Sequence, residues 1–335
     1  MTNYLFTIGL GVEEAPERWT AICAIYGRLA RGLDRLGHSS SFLVNPKAFD
    51  QRALQAFDAV PGDHGTLREM IGRHRMDAGF VWGGRIAADR ETVGILREYG
   101  VRPIFSELGW FPQKGTIYFD DTGTNSEIGK LVSKKLPLWR QLQFSIKRKA
   151  MCKKIYGRAL HVGSESGVAK RVFVPLQDEM DTNITLDSPF STMDQMVGFL
   201  SRRYPGCQFV VRHHPKALPA FVDSYPNVEI QSAKTNLYIS MLDFDAVVGI
   251  NSTVLSEAAL LGHPVFCFGD GIASRFGLAK GLEPDNPPES LEIMPETAEI
   301  RDALAYLIQY KQLDQKRLSS PGYLKKSYLN ELLDL

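Results

Sequence analysis

The sequence predicts an α/β protein with two doubly wound, Rossmann-like parallel sheets, one in each half of the chain. Two observations carry this. At 335 residues the chain exceeds what one hydrophobic core usually serves, so two domains of about 150 residues each are expected. Short apolar runs alternate with helix-periodic stretches throughout, and the runs stop at glycine or polar loops, as buried parallel strands do.

In the first half, Tyr4 to Leu10 reads as the opening strand, ending in Gly9-Leu10-Gly11. Pro16 to Leu36 follows as a helix, with Ile22, Ile25, Leu29 and Leu33 near helical spacing and Gly37 closing it. Ser41 to Val44 is the next strand, and Leu54 to Phe57 belongs to a short helix. Ala78 to Trp82 is a strand ending in Gly83-Gly84-Arg85; a helix over Ala87 to Tyr99 then leads to a strand from Val101 to Phe105.

Ligands of open α/β sheets gather beyond the carboxyl ends of strands, so those loops are the places to look for function. Gly83-Gly84 makes a tight turn or lets backbone approach a ligand, and Arg85 offers a fork to a carboxylate or phosphate. Glu107, followed by Gly109, Trp110 and Phe111, reads as exposed aromatics beside a carboxylate, like a sugar-binding ledge. Tyr118 to Asn125 is turn-rich, with an N-cap signal for the next helix.

From Lys134 to Lys154 every charge is positive, with Leu136, Leu138, Trp139, Leu142, Phe144 and Ile146 interleaved. The plainer reading is a solvated helix with one packed face; the functional one is a basic amphipathic surface facing anionic lipid or a lipid-linked acceptor. Glycines between residues 151 and 170 mark an interdomain linker. The expected domains are therefore 1–155, with the basic stretch at its end, then 165–312, and a helical segment 313–335 that crosses back to the first.

The second half repeats the alternation. Strands are expected at 172–176, 208–212, 227–231, 245–250 and 264–268, and helices near 191–203, 235–242, 252–261 and 298–310. After the run Val172 to Leu176 comes Gln177-Asp178-Glu179-Met180-Asp181, with three carboxylates in four positions. That loop reads either as solvated helix-capping residues near Pro189 or as an acidic wall of a ligand crevice. Arg212-His213-His214-Pro215-Lys216 crowds two imidazoles and two cations after a strand, which suits a leaving phosphate. Asn251-Ser252-Thr253 opens the helix that carries Glu257, where unpaired backbone N–H groups and hydroxyls fit a nucleotide phosphate and Glu257 reaches ribose hydroxyls; an ordinary N-cap is the plainer alternative.

Taken in order, Ser106-Glu107…Gly109-Trp110-Phe111-Pro112-Gln113, Tyr118-Phe119-Asp120, Pro175-Leu176-Gln177…Asp181, His214-Pro215 and Asn251-Ser252-Thr253-Val254 resemble one family. It is the retaining β-Kdo glycosyltransferases of bacterial capsule and O-antigen (lipopolysaccharide) assembly, and the likeness covers residues from about 80 to 270. The resemblance implies a GT-B fold, with the two domains facing across a cleft, and CMP-β-Kdo as donor. It implies Asp181 as nucleophile, Glu107 as a second active-site carboxylate, and His214 on the CMP phosphate. Asn251, Ser252, Thr253, Glu257, Gln177, Lys216 and Arg85 complete the expected donor-binding set. His213 departs from the residue more usual before that His-Pro in the capsule branch.

The bulk numbers bound the alternatives. A net charge of +1 argues against nucleic acid, and the four scattered cysteines read as reduced thiols. No signal peptide or membrane span is expected, which makes the chain cytoplasmic by default, with peripheral contact to the anionic inner membrane through 134–154. Neither cofactor nor metal is expected, because CMP carries a single phosphate and no ligand-spaced cluster stands out. Two other functions fit the same residues: an inverting GT-B transferase using another CMP- or UDP-sugar such as CMP-sialic acid, and a non-catalytic polysaccharide-assembly module.

Overall fold

The computed structural model describes residues 1–13, 18–49, 54–129, 137–157, 166–215, 224–231, 234, 236–241 and 243–335. The chain forms two compact units, residues 1–129 with 308–335, and residues 130–307.

The first unit holds strands β1 (Asn3–Ile8), β2 (Ser39–Val44), β3 (Asp58–Pro61), β4 (Ala78–Trp82), β5 (Arg102–Leu108) and β6 (Thr116–Asp120). Among the described residues its sheet has seven strands, ordered β15-β6-β5-β4-β1-β2-β3, where β15 is Gln312–Asp314. The strands β1 to β5 pair in parallel, whereas β6 runs antiparallel to β5 and β15 antiparallel to β6. The period-two alternation of β1 sorts its side chains. Tyr4, Phe6 and Ile8 enter a core with helix Arg18–Asp34 and the C-terminal Leu324, Leu329 and Leu332, and Leu5 enters the core on the opposite face with Val81 and Leu96.

The second unit carries β8 (Arg171–Pro175), β9 (Gln208–Arg212), β10 (Val228–Gln231), β11 (Ala246–Gly249), β12 (Val265–Cys267) and β13 (Lys280–Gly281), all parallel, in the order β10-β9-β8-β11-β12-β13. A separate antiparallel pair joins β7 (Gly167–Val168) to β14 (Glu292–Ile293). Val172, Val174, Phe209, Val211 and Val248 share a core with Met193, Met196, Val197 and Leu200 of helix Met193–Arg203.

Three expectations need correction. Helix Leu138–Tyr156, placed by the sequence with the first domain, belongs to the second unit, because Arg148 donates to the carbonyls of Leu260 and Ala259 at 2.7 and 3.0 Å and pairs with Glu296 at 2.7 Å. The turn-rich reading of Tyr118 to Asn125 misses that Thr116–Asp120 is a strand, stabilised by β5 on one side and β15 on the other. Residues 313–335 are not purely helical: they include most of β15, and short helices (Pro321–Leu324, Tyr328–Leu333) follow. Residues 308–335 belong to the first unit. The start of the short helix expected at Leu54 borders residues outside those described.

Two polar contacts hold that returning segment. Gln312 accepts from the backbone N–H groups of Trp110 and Phe111 at 3.1 and 3.0 Å and donates to the Phe111 carbonyl at 2.8 Å. Beside it the Lys311 ammonium pairs with Asp120 at 2.5 Å, both side chains almost wholly buried. Burial opposes both charges, but Lys311 and the bonds from Thr122 outweigh it at Asp120 and hold that carboxyl below the usual range. Removing one partner of such a pair strands the other in a low-dielectric interior. Lys311→Met is therefore expected to destabilise the first unit by about 3–5 kcal/mol, and Lys311→Met with Asp120→Asn to recover part of that loss. Urea denaturation of the three proteins checks the order.

Candidate active site at the strand ends of the second unit

The loops after β8, β9 and β11 leave the same edge of the parallel sheet. Leu176, the first residue past β8, donates its backbone N–H to the Arg212 carbonyl at 2.9 Å, extending the pairing of β8 and β9 to the edge itself. Gln177 then meets Asn251, the residue before the Ser252 cap of helix Thr253–Leu261. The Gln177 amide donates to Asn251 Oδ1 at 3.0 Å and accepts from the Asn251 backbone N–H at 3.2 Å. Asn251 Nδ2 in turn donates to the carbonyls of Asn183 at 2.7 Å and Asp270 at 3.2 Å. The acidic loop is thus tied to the helix start at Gln177, before Asp181, and at Asn183, after it. In this arrangement Gln177 and Asn251 spend their amides on each other and on backbone.

Each of the three loop carboxylates takes a backbone N–H. Asp178 accepts from Met180 at 3.1 Å, Glu179 from Met193 at 2.6 Å, and Asp181 from Asn183 at 2.8 Å. The last contact makes Asp181 the N-cap of the short helix Thr182–Asp187, while Glu179 serves the start of the helix that follows Pro189 by accepting from Met193, its first residue. Asp181 is exposed to solvent all the same, with exposed Met180 before it. Capping fixes the aspartate's rotamer, and exposure leaves it reachable.

Helix Thr253–Leu261 starts as the sequence predicts. Ser252 Oγ accepts from the Val254 N–H at 3.2 Å, and Ser252 and Thr253 are both part-exposed. The helix's first N–H groups and its dipole make this end favourable for an anion. Glu257, one turn further in, is 6% exposed. Its carboxyl accepts from the Tyr238 hydroxyl at 3.2 Å and from Tyr156 at 3.4 Å, so contact with ribose would require exchanging those bonds. Burial pushes its pKa up to about 7 against the pull of the two hydroxyls. Neither tyrosine is marked by spacing or motif; Tyr238 comes from helix Leu237–Ser240, 19 residues before Glu257, and Tyr156 from 101 residues away.

His213 and His214 follow β9 and are part-exposed, while Arg212, at the end of that strand, is buried and its guanidinium is pushed below its usual pKa by burial. Lys216 lies outside the described residues.

In the first unit the strand-end loops look different from the sequence reading. Trp110 and Phe111 are each only 2% exposed, which overturns the aromatic ledge. Trp110 stacks on Tyr118 with ring centres 4.3 Å apart, and Gln312 ties its backbone down. Gly83 and Gly84 have φ of +74° and +93°, and a Cβ on Gly84 would stand 2.5 Å from the Phe105 ring, so this glycine pair is required by the turn. Arg85 is buried. Glu107 is part-exposed; its own Oε1 accepts from the Leu108 N–H at 2.8 Å, and after burial its charge is the main influence raising the Tyr118 pKa.

Two Rossmann-like units of this kind define the GT-B class of glycosyltransferase folds. The chain belongs to the family of capsule polysaccharide biosynthesis proteins, whose profile matches residues 138–317, just over half of it. A curated relative, Protein FixF of Sinorhizobium fredii (strain NBRC 101917 / NGR234), is 28% identical over 196 residues, 54% of this chain and 46% of that protein. The match thus spans about half of that relative's length. Two solved structures from Thermosulfurimonas dismutans are similar in fold. The KpsC β-Kdo 2,7 transferase has a TM-score of 0.59 and 15% identity, covering 92% of this chain and 91% of its own. The KpsC β-Kdo 2,4 transferase has a TM-score of 0.58 and 15% identity, covering 97% of each.

The caged carboxyl has a measurable consequence. Folding lifts the Glu257 pKa from its ordinary 4.5 to about 7, so within that window folding binds a proton. Stability from this group therefore falls as pH rises from about 4.5, and the full cost, a few kcal/mol at most, is reached above about 7. Glu257→Gln is expected to flatten thermal stability across that window. An unchanged slope would mean the carboxyl is already ionised in the folded protein.

Proposed function

We propose that this chain moves Kdo from CMP-β-Kdo to a hydroxyl of a bacterial surface polysaccharide or its lipid-linked precursor, with retained configuration. Membership of the capsule polysaccharide family, the GT-B fold, and the likeness to structures described as β-Kdo transferases support this reading. The observation that carries it is the link made by Asn251, which binds Gln177 and Asn183 on either side of Asp181 and leads into the Ser252 helix start. A capped, solvent-reachable carboxylate is thereby held to an anion-favouring helix end, as a nucleophile and a departing phosphate require.

In the first step an oxygen of Asp181 attacks the ketal carbon of Kdo. The bond from that carbon to the phosphate oxygen breaks, and its electron pair leaves with CMP. The Ser252 and Thr253 hydroxyls, the helix N–H groups and His214 receive the charge on CMP, with Lys216 and Arg85 assigned to donor anions. In the second step the acceptor hydroxyl displaces Asp181, giving its proton to Glu107, and the ester bond breaks as the glycosidic bond forms. Two inversions give retention. A single phosphate departs, so the scheme draws on no metal.

Asp181→Asn is expected to lower transfer at least about a hundredfold while CMP binding persists, and Glu107→Gln to slow the second step so that an adduct accumulates. Intact-protein mass spectrometry after incubation with CMP-Kdo would then show the mass of one Kdo added to the Glu107→Gln protein and none on Asp181→Asn. Undiminished turnover of Asp181→Asn, or a product of inverted configuration, would reject the adduct and favour direct displacement. CMP-sialic acid and UDP-sugars in the same nucleotide-release assay test the donor.

A further inference from the structure

We propose that the outer face of helix Leu138–Tyr156 seats the protein on an anionic lipid bilayer. This inference does not depend on the donor or on the adduct. One stripe of the helix faces inward: Phe144, Arg148, Cys152 and Tyr156, four residues apart, are buried, and Arg148 is bonded to the Leu260 and Ala259 carbonyls and to Glu296. A second stripe faces outward with the same spacing. Leu138, Leu142 and Ile146 are 79%, 69% and 74% exposed, and Trp139 beside them is 56% exposed. Apolar side chains on a solvated helix are ordinary when single; four adjoining ones on the face opposite its packed side form a patch that needs a partner.

Charge identifies that partner. Along the outward stripe Leu142 and Ile146 are succeeded at helical spacing by Lys149 and Lys153, both exposed, with Lys147 and Lys154 alongside and Arg140 over the Trp139 ring at 5.2 Å. No Asp or Glu occurs anywhere in this helix. A partner must therefore be apolar beneath and negative at its surface, which describes the headgroup boundary of an anionic leaflet. The helix would lie in the plane of the interface. Leucine, isoleucine and the indole would enter the acyl boundary, while the lysine stems run along it with their ammonium groups among phosphates. Among the described residues no helix is long and apolar enough to cross a membrane, so contact through this helix is peripheral. Nucleic acid would match the charge but not the aliphatic stripe, and a second copy would match the stripe but meet the same cations.

Sedimentation of the full chain with vesicles tests this. Retention is expected on mixed phosphatidylglycerol and phosphatidylethanolamine vesicles and not on phosphatidylcholine, with a loss of at least about tenfold in about 0.5 M salt. Leu142→Ser with Ile146→Ser, and separately Lys149→Glu with Lys153→Glu, should each lower retention at least about tenfold without shifting the melting temperature. Trp139 emission should move to the blue on the anionic vesicles, and Trp139→Phe should abolish that shift; this readout decides the matter if a variant fails to fold. No retention on anionic vesicles, equal retention by the variants, or a dimer in solution that the Leu142→Ser, Ile146→Ser protein loses would overturn the proposal.

Discussion

Two carboxamides, those of Gln177 and Asn251, hold together the strand-end edge of the second unit, where the proposed chemistry is placed. Parallel pairing brings β8 beside β11 but leaves the loops beyond them without ladder bonds. The reciprocal bonds between Gln177 and Asn251 replace that ladder with side chains, and the further bond from Asn251 to the Asn183 carbonyl extends it into the next helix. Each such bond contributes only about 1 kcal/mol net, whereas leaving the amide of Gln177, the buried member, unmet would cost about 1–3 kcal/mol. The consequence is geometric. Asp181 and the Ser252 helix start keep a fixed relation although one follows the first strand of the sheet and the other a strand some seventy residues on.

The same economy of amides recurs in the first unit, where Gln312 satisfies three backbone groups of Trp110 and Phe111. There it fastens the returning segment to the loop after β5. The adjacent pair of Lys311 and Asp120 adds charge to that fastening, and the Lys311 ammonium also lies 3.5 Å from the centre of the Tyr328 ring. Buried ion pairs are weak sources of stability but strict about register, since a shifted strand would leave both charges unmet. The antiparallel addition of β15 to β6 is thereby specified by side chains as well as by backbone.

Glu257 illustrates how a motif residue and its setting diverge. Its place one turn into an anion-favouring helix suggests a hydroxyl-binding carboxylate, but Tyr238 and Tyr156 surround it. Burial there pushes the carboxyl up to about 7 and makes it part of the unit's packing. Helix Leu138–Tyr156 makes the complementary point: it supplies Tyr156 to that cage from its buried stripe while turning its leucines and lysines outward.

Much of the fold is legible in the sequence because it is local. The apolar run of β1, the uninterrupted apolar stretch of β8 and the Ser252 cap each depend on neighbours within a few residues. The alternation of such segments fixes the α/β class, and the ends of the strands mark where Asp181, His214 and Ser252 would stand. What the tertiary structure alone decided is which of these groups are covered and by what. Trp110 and Phe111 look like surface aromatics until Gln312 arrives from some two hundred residues away, and the basic helix joins the second unit through Arg148 and Tyr156, which reach groups about a hundred residues on. Burial and hydrogen-bond partnership are properties of distant neighbours, and no window of the sequence contains them.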